Sequence, residues 1–214
     1  MMCEFVTAMQ MISARQGEVR RLRRPQTADS FGLSRLGKTA SNEEAKPVDL
    51  NDREEIHRAV LRYCRGIDRL DMDLVRSAYH PDGIDNHTGF SGPIGDFIDW
   101  VTQGLSNFDG TMHLIGNHFA EGNATSAVSE TYGTAVHWGT PVSDARRNFT
   151  SGFRYVDHFE KRGGQWAIVQ RWAVREWTRS EADRFMPKEG EGPSPRRDRS
   201  DIVYDLKNRL GISG

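Results

Sequence analysis

Asp68 stands in the phrase Tyr63-Cys-Arg-Gly-Ile-Asp68-Arg-Leu-Asp, His113 in Thr-Met-His113-Leu-Ile-Gly-Asn, and His137 near the end of Glu-Thr-Tyr-Gly-Thr-Ala-Val-His137-Trp. A carboxylate and two imidazoles are the parts of a proton-transfer site. An imidazole, with an ordinary pKa of about 6.5, exchanges a proton near neutrality, and a carboxylate on one ring nitrogen fixes its tautomer. In such a site Asp68 accepts a hydrogen bond from one nitrogen of His113, and the other nitrogen removes a proton from carbon beside an acidifying group. His137 or Tyr63 then protonates a departing hydroxyl or steadies an oxyanion. Each residue also has a plainer use: Asp68 as a helix cap or a partner of Arg65 or Arg69, His113 as a core histidine, His137 as an exposed strand end, Tyr63 as helix packing. In a chain with 7 histidines, residue types alone do not decide, and the elements that carry them must.

The clearest helix is predicted over 51–70. Asn51 is placed to cap it, with Glu54 three positions on, and Ile56, Ala59, Val60, Tyr63, Cys64 and Ile67 recur at helical spacing. At about 100° per residue Asp68 falls on the shoulder of that apolar stripe. Shorter helices are predicted over 72–79, ended by Pro81-Asp-Gly83, and over 93–105, where Ile94, Phe97, Ile98, Val101 and Leu105 form a second stripe. From residue 112 the pattern becomes that of strands, over 112–119, 125–139, 148–161 and 165–178, with Gly163-Gly164 as a hairpin turn. Helices first and consecutive strands after imply an α+β domain. Residues 1–47 have no sustained period and are expected to be a disordered extension. The domain then spans 48–180, and 181–214 reads as an extended tail whose apolar patch, Ile202, Val203, Tyr204 and Leu206, docks on the domain or on a partner.

Of the 214 residues 36% are hydrophobic and 28% charged, and the net charge is −1. No global field attracts nucleic acid or an anionic membrane. No run approaches the roughly 20 apolar residues of a membrane span, and the N-terminus has no secretory stretch. The 2 cysteines, Cys3 and Cys64, make no disulfide framework, so a reducing cytoplasm is expected. A metal site is not expected. His80, Asp82, Asp85 and His87 crowd a predicted loop without a paired-ligand phrase, and His113 and His118, an odd number apart, face opposite sides of a regular strand. No glycine-rich phosphate loop is present, so no nucleotide cofactor is expected.

Five phrases, in this order, resemble the SnoaL-like branch of the nuclear transport factor 2-like superfamily: Arg62-Tyr-Cys-Arg-Gly-Ile-Asp-Arg-Leu-Asp71, Tyr79-His-Pro-Asp82, Thr111-Met-His-Leu-Ile-Gly-Asn117, Gly152-Phe-Arg-Tyr-Val-Asp-His-Phe-Glu160 and Gln165-Trp-Ala-Ile168. The resemblance covers roughly residues 50–178. It implies a cone-shaped, curved antiparallel or mixed sheet wrapped against about three N-terminal helices, with an apolar pocket inside and homo-oligomers, dimers or trimers, outside. Scytalone dehydratases of this superfamily place a catalytic Asp and two His at Asp68, His113 and His137. Their two tyrosines fall on Ile67 and Asn86, of which Asn86 is kept as a substrate-binding candidate. Bile-acid dehydratases have a tyrosine matching Tyr63 and a late-strand arginine for which Arg171 is the candidate, with an outward surface cation as the alternative. Phe153 and Tyr155 are candidate substrate walls, or else core or dimer interface. The resemblance thus implies a cofactor-free dehydratase or isomerase acting on a small polycyclic, steroid-like or aromatic-polyketide molecule. The alternative is a non-catalytic binding or assembly subunit, such as the β subunit of ring-hydroxylating dioxygenases.

Overall fold

The computed structural model describes residues 48–181 and 196–210. Helix α1, Leu50–Arg69, starts one residue earlier than expected. Asp49, with extended backbone, is therefore the cap and accepts the N–H of Asp52 at 2.8 Å, while Asn51 already lies inside the helix. The predicted stripe from Ile56 to Ile67 is the buried face. Leu70 ends the helix in the left-handed region (φ 52°), and Asp71 at once caps the short α2, Met72–Arg76, through the N–H of Leu74. This tight corner depends on Gly66. A Cβ there would lie 2.6 Å from Val75 Cγ2 and 2.8 Å from the Val75 nitrogen.

The chain continues through β1 (Tyr79–His87), β2 (Phe90–Pro93), α3 (Ile94–Leu105), β3 (Gly110–Gly122), β4 (Ser126–Trp138), β5 (Phe149–Arg162), β6 (Gln165–Ser180) and α4 (Ile202–Arg209). The strands form one curved mixed sheet in the order β2-β1-β6-β5-β4-β3, with β1 parallel to β6 and all other pairs antiparallel. The fold is the α+β class expected. The 72–79 helix stops at Arg76, however, and the expected loop around 80–87 is strand β1. Pro81, Asp82 and Gly83 form not a turn but an irregularity, where the register jumps from Tyr79↔Ile168 to Ile84↔Gln170.

A second irregularity, between Ile115 and His118 in β3, reverses the side-chain alternation. Contrary to the expected parity, His118 therefore faces the helices as His113 does. It stacks on His57 of α1 at 4.8 Å and its Nδ1 pairs with the Thr131 hydroxyl. The opposite face of the sheet leaves Met112, Leu114, Phe119, Tyr132, Trp172 and Trp177 exposed.

The expected disordered extension, 1–47, lies outside the described residues, as do 182–195 and 211–214 of the expected tail. Residues 202–209 are helical rather than extended, capped by Asp201. Of the apolar patch Tyr204 is buried, its hydroxyl donating to Asp71, while Ile202 and Leu206 are exposed. Among the described residues no helix is long and apolar enough to cross a membrane.

Alanine is normally preferred over glycine inside a helix by about 1 kcal/mol. Gly66→Ala is expected to do the reverse, because the new methyl meets backbone as well as side chain. Overpacking costs about 1–3 kcal/mol, and thermal denaturation should show a Tm lower by several degrees. A raised Tm would contradict the close-approach reading.

Candidate functional site

Asp68 is the penultimate residue of α1, so its carboxylate leaves the helix where the helix end meets β3. There it accepts three hydrogen bonds: Thr111 Oγ1 (3.1 Å) and His113 Nδ1 (2.7 Å) on Oδ1, and the backbone N–H of His113 (2.8 Å) on Oδ2. A carboxylate only accepts, so Nδ1 of His113 carries a proton, and in the neutral ring Nε2 is the bare nitrogen. The two side chains are 13% and 7% exposed, shielded but not sealed.

Strand register lays out the ground beside this pair. His113 pairs with Ala135, Ala135 with Ser151 and Ser151 with Thr178, while the next row runs Ile115, Gly133, Phe153, Arg175. Small residues at Ala135, Ser151 and Gly133 leave space on the concave face. Gly133 in particular carries the Phe153 ring, since a Cβ there would be 2.6 Å from Phe153 Cζ. Phe153 stands edge-on to His113, with ring centres 5.8 Å apart, and 4.4 Å from Tyr155. Phe153, Tyr155 and Ser151 line a cavity of about 130 Å³ with Val101, Trp100, Ala173, His87 and Arg175. For comparison, an engineered apolar cavity of about 150 Å³ admits benzene.

His137, opposite Thr111 on β4, has its ring 6.5 Å from that of His113 and stacks on Phe149 at 4.4 Å. Enclosure by these rings, assisted by the nearby His113, pushes its pKa down to about 3. His137 is thus neutral at ordinary pH, a source of a hydrogen bond rather than of an imidazolium proton.

The other candidates lie toward β1 and β6. Tyr63 is buried, and its hydroxyl is 3.4 Å from His87 Nε2 rather than beside Asp68. Arg171 is no surface cation. It is 0% exposed, its Nε and Nη2 donate to Asp157 at 2.7 and 2.6 Å, and its guanidinium lies 4.2 and 4.0 Å from the Tyr63 and Tyr155 ring centres. Burial raises the Asp157 carboxyl pKa, with the Arg171 charge opposing it. The late-strand arginine that reaches the cavity is instead Arg175, whose pKa burial lowers and which makes no ion pair among the described residues. The signal for it was the strand register with Phe153, which a single sequence does not supply.

Asn86 is spent on structure. Its amide donates to the Arg171 carbonyl at 2.8 Å and its oxygen accepts from Ser91. The His80–His87 group splits: His80 bonds to the Glu160 carbonyl and Asp82 pairs with Arg162, while Asp85 stays with His87 and also accepts from Tyr79. His87, which sequence reasoning weighed only as a metal ligand, borders the cavity.

The model of the SnoaL-like domain matches residues 48–172. The chain belongs to the SnoaL-like domain family. An uncharacterized protein of Mycobacterium tuberculosis is 25% identical over 129 residues, covering 58% of this chain and 85% of that protein. Solved structures that share the fold include two of named activity. A scytalone dehydratase-like protein of Novosphingobium aromaticivorans has a TM-score of 0.55 at 19% identity, over 67% of this chain and 96% of that one. A hexachlorocyclohexane dehydrochlorinase has a TM-score of 0.59 at 15% identity, over 66% and 96%. The SnoaL-like match includes Asp68, His113 and His137 and stops just short of Arg175.

The depressed pKa of His137 has a thermodynamic signature. An unfolded imidazole takes a proton below about pH 6.5, while the folded ring resists until about 3. Between these values the unfolded chain binds more protons, so stability is lost as pH falls, by up to about 1.4 kcal/mol per pH unit. His118, lowered to about 4 mainly by burial, adds in the same direction. Denaturant melts from pH 7 to 4.5 should show a shallower loss for His137→Phe than for the parent. Equal slopes would mean that the ring titrates normally in the folded protein.

Proposed function

We propose that this SnoaL-like protein is a cofactor-independent lyase that removes HX, water or hydrogen chloride, from a small ring, with isomerisation as the variant in which the proton returns elsewhere. The reading is carried by the double hold of Asp68 on His113, at the backbone N–H and at Nδ1. That hold leaves Nε2 as the base, on a ring that does not itself line the cavity but meets Phe153, one of its lining residues, edge-on. Nε2 takes a proton from carbon and the C–X bond breaks as the double bond forms. The neutral His137 donates its N–H toward developing negative charge, and the protonated His113, paired with Asp68, later returns its proton to solvent. Only side chains act in these steps.

The cavity suits one ring, so the reacting part is a single ring even where the molecule is polycyclic, steroid-like or polyketide-derived. Dehydration and dehydrochlorination, the activities named for the two structural neighbours, are the same elimination with different leaving groups. The apolar outer sheet face, with Leu114 and Trp177 exposed, favours a homo-oligomer, for which native mass spectrometry is the check. A reducing cytoplasm suits the free thiol of Cys64.

The test is turnover of two probes: a cyclic β-hydroxy ketone, followed as loss of one water by mass, and hexachlorocyclohexane, followed as chloride release. At least one should be converted. His113→Gln should lower the rate about 100-fold or more, and Asp68→Asn about tenfold or more, given the usual worth of a positioned acid–base group, with Tm recorded to exclude unfolding. No conversion, or conversion indifferent to both substitutions, contradicts the reading.

A further inference from the structure

The cavity has a polar end that the elimination chemistry does not use. His87, at the end of β1, presents a second imidazole on a carboxylate: its Nδ1 contacts Asp85 Oδ1, and its side chain is 21% exposed where it borders the cavity. Asp85 is fully buried, and its other oxygen accepts the Tyr79 hydroxyl at 2.5 Å. Because a carboxylate only accepts, Nδ1 of His87 is the protonated nitrogen and Nε2 of the neutral ring is an acceptor. The Tyr63 hydroxyl reaches Nε2 at only 3.4 Å, near the limit of a hydrogen bond, so a ligand hydroxyl competes easily for it. Phe97 stacks on the ring at 5.0 Å and keeps it in place. Arg175 borders the same cavity and forms no ion pair among the described residues. In contrast Arg171, four residues earlier, is neutralised by Asp157. A cavity of about 130 Å³ leaves both groups within reach of one small ring.

A hydrogen-bond acceptor and an available cation, on walls that are otherwise apolar apart from the Thr88 and Ser151 hydroxyls, fit an acidic ring hydroxyl. We propose that His87 and Arg175 bind a phenolic or enolic oxygen, so that the substrate is a hydroxylated aromatic or enolisable ring. This deepens the lyase reading and rests on it for the chemistry after binding, but not for the binding itself. The O–H proton passes to His87 Nε2, and the oxygen keeps its electron pair and faces the Arg175 guanidinium. Asp85 is a positioning residue that holds the His87 tautomer. In the lyase reading, electron density from the anchored oxyanion helps expel the leaving group X, and it returns to the oxygen as His113 takes the proton from the neighbouring carbon.

The probe is 4-nitrophenol, whose phenolate absorbs at longer wavelength than the phenol, titrated against the full chain at pH 6, with 4-nitrotoluene as the ring without the oxygen. Saturable binding with the phenolate band enriched is expected, with affinity about tenfold or more above that for 4-nitrotoluene. His87→Gln and Arg175→Gln should each weaken 4-nitrophenol about tenfold while leaving 4-nitrotoluene within twofold. If His87→Gln fails to fold, Arg175→Gln, at a half-buried position, carries the test alone. Absence of 4-nitrophenol binding, equal affinity for the two rings, or variants that bind 4-nitrophenol like the parent would overturn the proposal. Binding is read here without turnover. A failed elimination assay with intact, His87-dependent binding therefore sinks the lyase reading alone, and the converse sinks this one.

Discussion

One carboxylate joins the helical layer to the sheet at the point where chemistry is proposed. Asp68 takes hydrogen bonds from Thr111 and twice from His113, each bond to a charged group being worth about 1.5–3 kcal/mol. The same contacts that seat the end of α1 on β3 thus also orient the imidazole. Orientation comes from the fold and needs no substrate, the condition under which a positioned base is most effective. The tight Gly66 corner and the Asp71 cap finish α1 immediately beyond Asp68.

Around that tie the concave face divides by polarity. On the β5–β6 side, Arg171 and Asp157 are both removed from water, and burying such a pair is expensive unless geometry and hydrogen bonding are good. Two donors on two oxygens, with the rings of Tyr63 and Tyr155 close to the guanidinium, meet that requirement. This arrangement absorbs Arg171 into structure and leaves Arg175 to the cavity. Small residues then set the room available, and Gly133 seats the Phe153 ring, which lines the cavity and meets His113 edge-on.

Much of this was legible in the sequence because periodicity reports which face is buried. The α1 stripe placed Asp68 on its shoulder, and the strand-like segments placed His113 and His137 on neighbouring strands. What stayed hidden depended on irregularities. Pro81, Asp82 and Gly83 read as a turn yet sit within β1, because parallel pairing with β6 tolerates them at a register jump. The β3 irregularity overturned a parity argument for His118 that holds only on a regular strand. Arg171 and Arg175 share a face of β6 and the same local pattern, and only the partner Asp157 across the sheet separates a structural cation from an available one. The α4 helix was missed because its apolar pattern is short and only Tyr204 is buried.

The proposed chemistry turns on which nitrogen of His113 bears the proton. Nitrogen-15 NMR of the labelled protein, at a pH where the ring is neutral, reads this directly. The expected result is a protonated Nδ1 and a bare Nε2, with that preference lost in Asp68→Asn. A ring protonated at Nε2 in the parent protein would leave that nitrogen unable to act as the base and would contradict the proposed mechanism.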